Sequence, residues 1–256
     1  MAARFFIDAP LVAGSAIDLP AAVAHHATRV LRLRDGSPVV LFNGRGGEFA
    51  ATLTVDGSIA RAFVGAHDPV ERESPLQVTL VQSWIATEKL DWMVEKVVEL
   101  GVASIIVAPA QRSVIRLTDQ RALRRIHKLR EIAIAACSQC GRNRIPPIES
   151  KSTLTAALQS GLQNDASGLL LEPHATDAAS LLEASGRNSR IALAVGPEGG
   201  FDDDEIALAK RLGYRALRLG PRILRTETAG LTALAALQSV RGDLGLTAEA
   251  GYSNSG

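Results

Sequence analysis

Leu193-Ala194-Val195-Gly196-Pro197-Glu198-Gly199-Gly200-Phe201, running on into Asp202-Asp203-Asp204-Glu205, is an apolar strand that breaks into a sharply turned loop and then a helix. Three glycines and a proline leave the backbone open to close approach by a ligand. The spacing is neither G-x-G-x-x-G nor G-x-x-x-x-G-K-S/T, so it is neither a dinucleotide loop nor a P-loop. The acids at 202–205 sit where a phosphate would seek a helix N-terminus and would repel it. A cationic or zwitterionic ligand suits the loop better, and a tight turn with an N-cap is the purely structural alternative. A second strand exit follows, Leu219-Gly220-Pro221-Arg222-Ile223-Leu224-Arg225-Thr226-Glu227-Thr228-Ala229. Here Thr226 is the expected N-cap, Glu227 suits the first turn, and Arg222 and Arg225 are left to reach outward. Two such exits at the carboxyl edge of a parallel sheet are where α/β proteins bind small molecules.

Upstream of these loops the pattern is β-α-β. Residues 76–81 alternate like a strand, and Thr87 is the expected cap of a helix to residue 100 with Leu90, Met93, Val94 and Val97 on one face. Gly101 stops that helix before the buried run 104–108. Residues 168–172, 190–196 and 215–220 read as further strands, with helices expected at 177–184, 203–212 and 226–240. The result is a mostly parallel sheet covered by helices. The first seventy residues differ. Residues 39–42 and 48–55 around Asn43-Gly44 form a hairpin, a third strand covers 59–64, and the polar, proline-punctuated stretch 67–75 marks a boundary. The domains expected are therefore 1–72, 73–245 and a frayed tail at 246–256.

Composition bounds the function. The chain has 256 residues, 46% hydrophobic and 21% charged, with a net charge of +1, so a uniformly basic nucleic-acid coat is excluded and only a local patch remains. Two cysteines build no disulfide framework, and neither a signal sequence nor an apolar stretch of about 18 residues is present, so a cytoplasmic protein is expected. Cys137-Ser138-Gln139-Cys140 closes a helix instead of opening one, which disfavours a reactive thiolate, and no further ligands stand at zinc spacing, so no metal is expected. His25-His26, with Arg29, Arg32 and Arg34 nearby, marks a basic surface. The charge is densest between Arg112 and Arg144, where nine basic residues face two acidic ones, a local net charge of +7. Most of it rides a helix over 119–139 whose apolar Leu123, Ile126, Ala133 and Cys137 are expected to face inward. The scarcity of acids at helical spacing favours phosphate contacts over a solvated face.

Taken together, these segments resemble the RsmE family, bacterial 16S ribosomal RNA uridine N3-methyltransferases of the SPOUT superfamily. The resemblance is carried by Arg4-Phe5-Phe6, His25-His26 through Arg32, Phe42-Asn43-Gly44, Glu88-Lys89-Leu90-Asp91-Trp92, Arg112-Ser113-Val114, Gln139-Cys140-Gly141-Arg142 and, above all, the two strand-exit loops. Ser138 departs from the acidic residue expected before the glutamine. The resemblance implies an α/β fold, a SPOUT-type parallel sheet with a C-terminal trefoil knot, preceded by a small PUA-like β-barrel that binds RNA. It further implies S-adenosyl-L-methionine as methyl donor, a homodimer formed by the knotted domains, and 16S ribosomal RNA, in the small ribosomal subunit, as partner. Its cofactor set falls here on Leu171, Glu172, Gly196, Pro197, Glu198, Gly199, Gly200, Leu219, Gly220, Ile223, Leu224, Arg225, Thr228 and Ala229. Arg225 and Glu198 are the catalytic candidates, and Arg4, Arg29, Arg32, Arg112, Arg121, Arg125 and Arg142 the RNA-binding ones. Another SPOUT RNA methyltransferase, acting on ribose or transfer RNA, and a non-catalytic ribosome-assembly factor stand as alternatives.

Overall fold

The structure, a computed structural model, describes residues 2–56, 59–176 and 188–245. The helix expected at 177–184 and the tail from residue 246 lie outside the described residues. The chain forms two units, residues 1–73 with 133–145, and residues 74–132 with 146–256.

The first unit is built on a five-stranded sheet of order β1-β3-β4-β5-β2. Its strands are β1 (Ala3–Phe6), β2 (Ala16–Asp18), β3 (Pro38–Phe42), β4 (Glu48–Asp56) and β5 (Ile59–Asp68). The β3–β4 hairpin turns at Asn43, whose Oδ1 accepts the Arg45 amide at 3.1 Å. Along β4 and β5 the period-two pattern sends Ala51, Leu53, Ala62 and Val64 into a core with Phe5, Ile7 and Leu41. Helix α1 (Ala21–His25) and a π-helical turn (His26–Val30) add Ala24 and Ala27 to that core.

One polar cluster holds the unit's distant segments together. The Arg4 guanidinium lies over the Phe42 ring, 5.0 Å from its centroid, pairs with Glu48, and donates to Asn143 Oδ1 at 2.7 Å and to the Gly141 carbonyl at 3.2 Å. Arg72 joins Glu48 from the other side at 3.1 Å. Burial works to raise the Glu48 pKa, but the two guanidiniums prevail and hold it below its ordinary value. Arg142 is buried and pairs with Glu73 through Nε at 3.1 Å.

The second unit carries a six-stranded sheet of order β11-β9-β10-β6-β7-β8, all parallel. Its strands are β6 (Gln77–Ser83), β7 (Ser104–Ala108), β8 (Ile148–Ser150), β9 (Ser167–Leu171), β10 (Arg190–Val195) and β11 (Arg215–Leu217). The order runs outward from β6 to β8 and then jumps to the other side for β9 to β11, a reversal that leaves a crevice at the carboxyl ends. Helix α2 (Thr87–Glu99) buries Leu90, Met93, Val94, Val97 and Val98 and meets the last helix, α6 (Thr226–Arg241). Helices α4 (Leu154–Gly161) and α5 (Asp203–Arg211) cover a core of Val81, Ile106, Ala192, Ala194 and Tyr214. Thr87 does not cap α2. Ala86 holds the N-cap position, with no side-chain cap, and Thr87 is the first helical residue.

Helix α3 (Asp119–Cys140) begins in the second unit and ends in the first. Its inward residues include Leu129, Ala133 and Cys137, all 0% exposed, whereas Leu123, expected inward, is 69% exposed. Leu123 sits near the helix start, where the apolar stripe has drifted away from any covering surface. Burial pushes the Cys137 thiol up to about 12, so it stays protonated, and both cysteines are free. Among the described residues no group of three or more His, Cys, Asp or Glu side chains is arranged to hold a metal, and no helix is long and apolar enough to cross a membrane.

Candidate active site

Strand β10 delivers Val195 into the loop 196–201. Any side chain at Gly196 is excluded, since a Cβ there would stand 2.9 Å from the Phe201 amide nitrogen. Gly200, at φ +70°, closes the turn as its amide donates to the Pro197 carbonyl at 2.9 Å. Arg112 clamps the loop from outside through Nη1, donating to the Gly199 carbonyl at 3.1 Å. The acids that follow are structural. Asp202 accepts from the Glu205 amide at 2.8 Å, Glu205 reaches back to the Asp202 amide at 3.0 Å, and the same carboxylate accepts the Gln111 amide at 2.7 Å. This capping box opens α5 and leaves Asp203 beside the crevice.

The second loop, residues 218–225, follows β11. Arg225, not Thr226, holds the N-cap position of α6, its carbonyl accepting the Thr228 and Ala229 amides at 3.0 and 2.8 Å. Thr226 is turned inward instead. Its buried hydroxyl donates to the Gly196 carbonyl at 2.6 Å and accepts from Gln82 Nε2 at 3.1 Å. Gln82, itself 0% exposed at the end of β6, also reaches the Gly196 carbonyl at 3.3 Å. A buried polar latch thus joins the two loops and the neighbouring strand through Gln82 Nε2 and the Thr226 hydroxyl, while Gln82 Oε1 is buried without a hydrogen-bond partner among the described residues.

Between the loops lies a cavity of about 570 Å³, a size suited to a nucleoside-like ligand. Leu171, Leu217, Leu219, Ile223, Leu224 and Ala229 supply apolar wall, and Glu172, Glu198, Asp203 and Glu227 supply carboxylates. Lys89 lies 3.5 Å from Glu198 and 3.8 Å from Glu227. Partial burial works to raise the Glu198 pKa, but the Ala86 amide, donating at 3.1 Å, and the Lys89 ammonium together hold it below the ordinary glutamate value. Glu227 Oε2 is buried without a hydrogen-bond partner among the described residues. Arg225 is exposed at the same cavity, and no hydrogen bond or ion pair among the described residues engages its guanidinium.

Every member of the cofactor set lines this cavity except Gly220 and Thr228. The RNA set is scattered. Arg29 and Arg32 are exposed on the first unit and Arg121 on the second. Arg125 is bound to the Thr87 carbonyl at 2.7 Å and to Asp91 at 2.6 Å, and Arg112 is the clamp on Gly199. Arg4 and Arg142, expected on the surface, are withdrawn from it, their side chains only 7% and 5% exposed, because Glu48 and Glu73 pair with them. Sequence reasoning passed over Lys89, Gln82 and the inward role of Thr226. Lys89 lies in Glu88-Lys89-Leu90-Asp91-Trp92, a segment the resemblance includes, but nothing local marks a buried glutamine as a latch.

A parallel sheet with two joined loops at its carboxyl edge, paired with a small β-rich unit, has the build of an RNA-modifying enzyme. A family model described as "RNA methyltransferase domain" matches residues 72–238, and one described as "RNA methyltransferase PUA domain" matches residues 19–60. The chain belongs to the ribosomal RNA small subunit methyltransferase E family. A relative of that name from Buchnera aphidicola is 31% identical over 220 residues, 86% of each chain. A Neisseria gonorrhoeae enzyme of that name, solved bound to S-adenosyl methionine, superposes with a TM-score of 0.86 at 35% identity, covering 96% of this chain and all of that one. A putative methyltransferase from Legionella pneumophila, solved with bound SAM, gives a TM-score of 0.88 at 33% identity over 95% and 99% of the two chains.

Proposed function

We propose that this chain methylates N3 of a uridine in 16S ribosomal RNA, with S-adenosyl-L-methionine as donor. The observation that carries the reading is one cavity lined by both strand-exit loops, where the carboxylates of Glu172, Glu198, Asp203 and Glu227 stand among Lys89, Arg112, Arg218 and Arg222 and the Arg225 guanidinium is unengaged among the described residues. The residues fit the donor. Residues 196–201 and 219–229 would hold it, the apolar side chains would take up the adenosine, and Glu227 Oε2, 3.8 Å from the Lys89 ammonium but without a hydrogen bond among the described residues, would accept one from the donor. When bound, S-adenosyl-L-methionine supplies an electrophilic methyl group on a sulfonium centre.

The protein's own tasks are alignment and charge stabilisation. The uridine N3 proton must pass to solvent as the nitrogen bonds the methyl carbon and the carbon–sulfur bond breaks to leave a neutral thioether, and negative charge spreads to the uracil oxygens as the proton departs. Arg225, permanently cationic, would stabilise that charge and so lower the base's pKa. Glu198 has a different part. Tied to the Ala86 amide at 3.1 Å and 3.5 Å from the Lys89 ammonium, it orients the loop, and these two contacts hold its proton affinity below that of an ordinary glutamate. Arg29 and Arg32 on the first unit are the proposed RNA contacts there.

The same reading includes the homodimer, cytoplasmic action on the small subunit and the trefoil knot. In support of the knot, the chain leaves β11 at the sheet edge, yet α6 returns to β6 and β10 at its middle. Methylation assays with Arg225→Ala test the charge role. A loss of about a hundredfold or more in rate at saturating donor is expected, and full activity would overturn it. Mass mapping of 16S ribosomal RNA from a deletion strain identifies the atom. A missing ribose methyl or an altered transfer RNA would favour the other SPOUT activities, and no calorimetric heat with S-adenosylmethionine would favour an assembly factor.

A further inference from the structure

We propose that a second cavity in the second unit, about 300 Å³ in volume, binds a nucleotide flanking the target in the RNA strand, with its phosphate on Arg121 and Arg124. This rests on the RNA-methylating reading above and adds the path of the strand. The floor of the cavity is apolar. Trp84 and Ile85, both buried, extend from the end of β6, and Ile115 and Leu117 come from the segment before α3.

The rim is one face of α3. Arg121 stands three and four residues before Arg124 and Arg125, and Lys128 four and three residues after them, so like charges stand side by side. Two are already neutralised, Arg125 by Asp91 at 2.6 Å and Lys128 by Glu131 at 3.1 Å. Arg121 and Arg124 are exposed and have no partner among the described residues. An anion between them would relieve their repulsion and accept paired guanidinium hydrogen bonds. A bare phosphate would have no use for the apolar floor, and an apolar peptide would gain nothing from the two arginines. A nucleotide meets both, with a charged phosphodiester and a base whose faces are apolar.

The placement matches a continuous strand. Thr87, the first residue of α2, lines this cavity, Lys89 two residues on lines the first, and Glu198 of the first cavity accepts the amide of Ala86, the residue before Thr87. The start of α2 is thus common to both cavities, and a strand presenting its target base to the first would pass over it to the second.

The test is the Arg121→Ala/Arg124→Ala double variant, measured against undermodified small ribosomal subunits. RNA affinity is expected to fall about tenfold and the slope of log K against log salt to flatten by about 0.7, the contribution of one single-strand phosphate. KM for subunits should rise with kcat retained, calorimetric affinity for S-adenosylmethionine should be unchanged, and Arg121→Lys/Arg124→Lys should recover most of the loss. An unchanged slope and KM would overturn the proposal. So would a change in sedimentation with RNA binding intact, which would make this face a subunit contact. The binding slope reads the site directly, so if the unaltered protein transferred no methyl group, only the reaction assigned above would fall.

Discussion

Replacing Thr226 with Val keeps the side chain's shape and deletes its hydroxyl. That hydroxyl, on a residue 7% exposed, donates to the Gly196 carbonyl at 2.6 Å and accepts from Gln82 Nε2 at 3.1 Å. Gln82 keeps the Ser83 carbonyl at 3.1 Å and the Gly196 carbonyl at 3.3 Å as partners. No group is wholly orphaned, so the loss is one short hydrogen bond and part of another, about 1–2 kcal/mol. Both ends of the latch lie at cavity loops, so the cost should appear as misaligned loops. If it all falls on binding, the Kd for S-adenosylmethionine weakens about five- to thirtyfold. Thr226→Ser keeps the hydroxyl and removes one methyl, about 0.8 kcal/mol of buried apolar surface, so its Kd should stay within about fourfold of the parent. Calorimetric titration of the three proteins, with urea unfolding alongside, measures both effects. A Val variant that binds as tightly as the parent, or a Ser variant as weak as the Val one, would refute the latch.

Gly196→Ala should abolish donor binding while the protein still folds, because the new Cβ would meet the Phe201 amide nitrogen at 2.9 Å and force the loop open; equilibrium dialysis with labelled donor reads this. Acid unfolding should report Glu48. Its folded pKa lies below the ordinary 4.5, so its contribution is full above that value and is lost as pH falls through the folded pKa; Glu48→Gln should flatten the low-pH limb of a stability-against-pH curve. Iodoacetamide at pH 8 should modify Cys140 and spare Cys137, whose thiol titrates only near 12; rapid incorporation of two equivalents into native protein, by mass spectrometry, would contradict its burial.

What was legible in the sequence was local. Alternation identifies β6, apolar runs closed by glycine or proline identify β7, β9 and β10, and the loop at 196–201 declares itself because its turns need glycine. Short elements escaped, β2 and β8 among them at three residues each, since neither is long enough to display a period. Thr87 and Thr226 each stand one residue inside the helix, past the N-cap position that their sequence suggests for them. A threonine there satisfies the local rule equally well as a cap or as a first helical residue, and for Thr226 the decisive partner, Gly196, stands 30 positions earlier. Arg4 and Arg142 mislead for a related reason. Arg142 belongs to a charge run read from its neighbours in sequence, and Arg4 to a segment named by the resemblance, whereas the carboxylates that claim these two are 69 and 44 positions away.

The division of α3 bears on biosynthesis. Arg4, Val70 and Glu73 complete their hydrogen bonds only with Asn143 and Arg142, so the amino-terminal unit is not a module that can be cut at residue 73 and moved to another protein. On the ribosome it must wait for some seventy further residues, several seconds at about 5–20 residues per second, and by then the first strands of the catalytic sheet have also emerged. The gene order is sequential, but the two units mature over one shared interval.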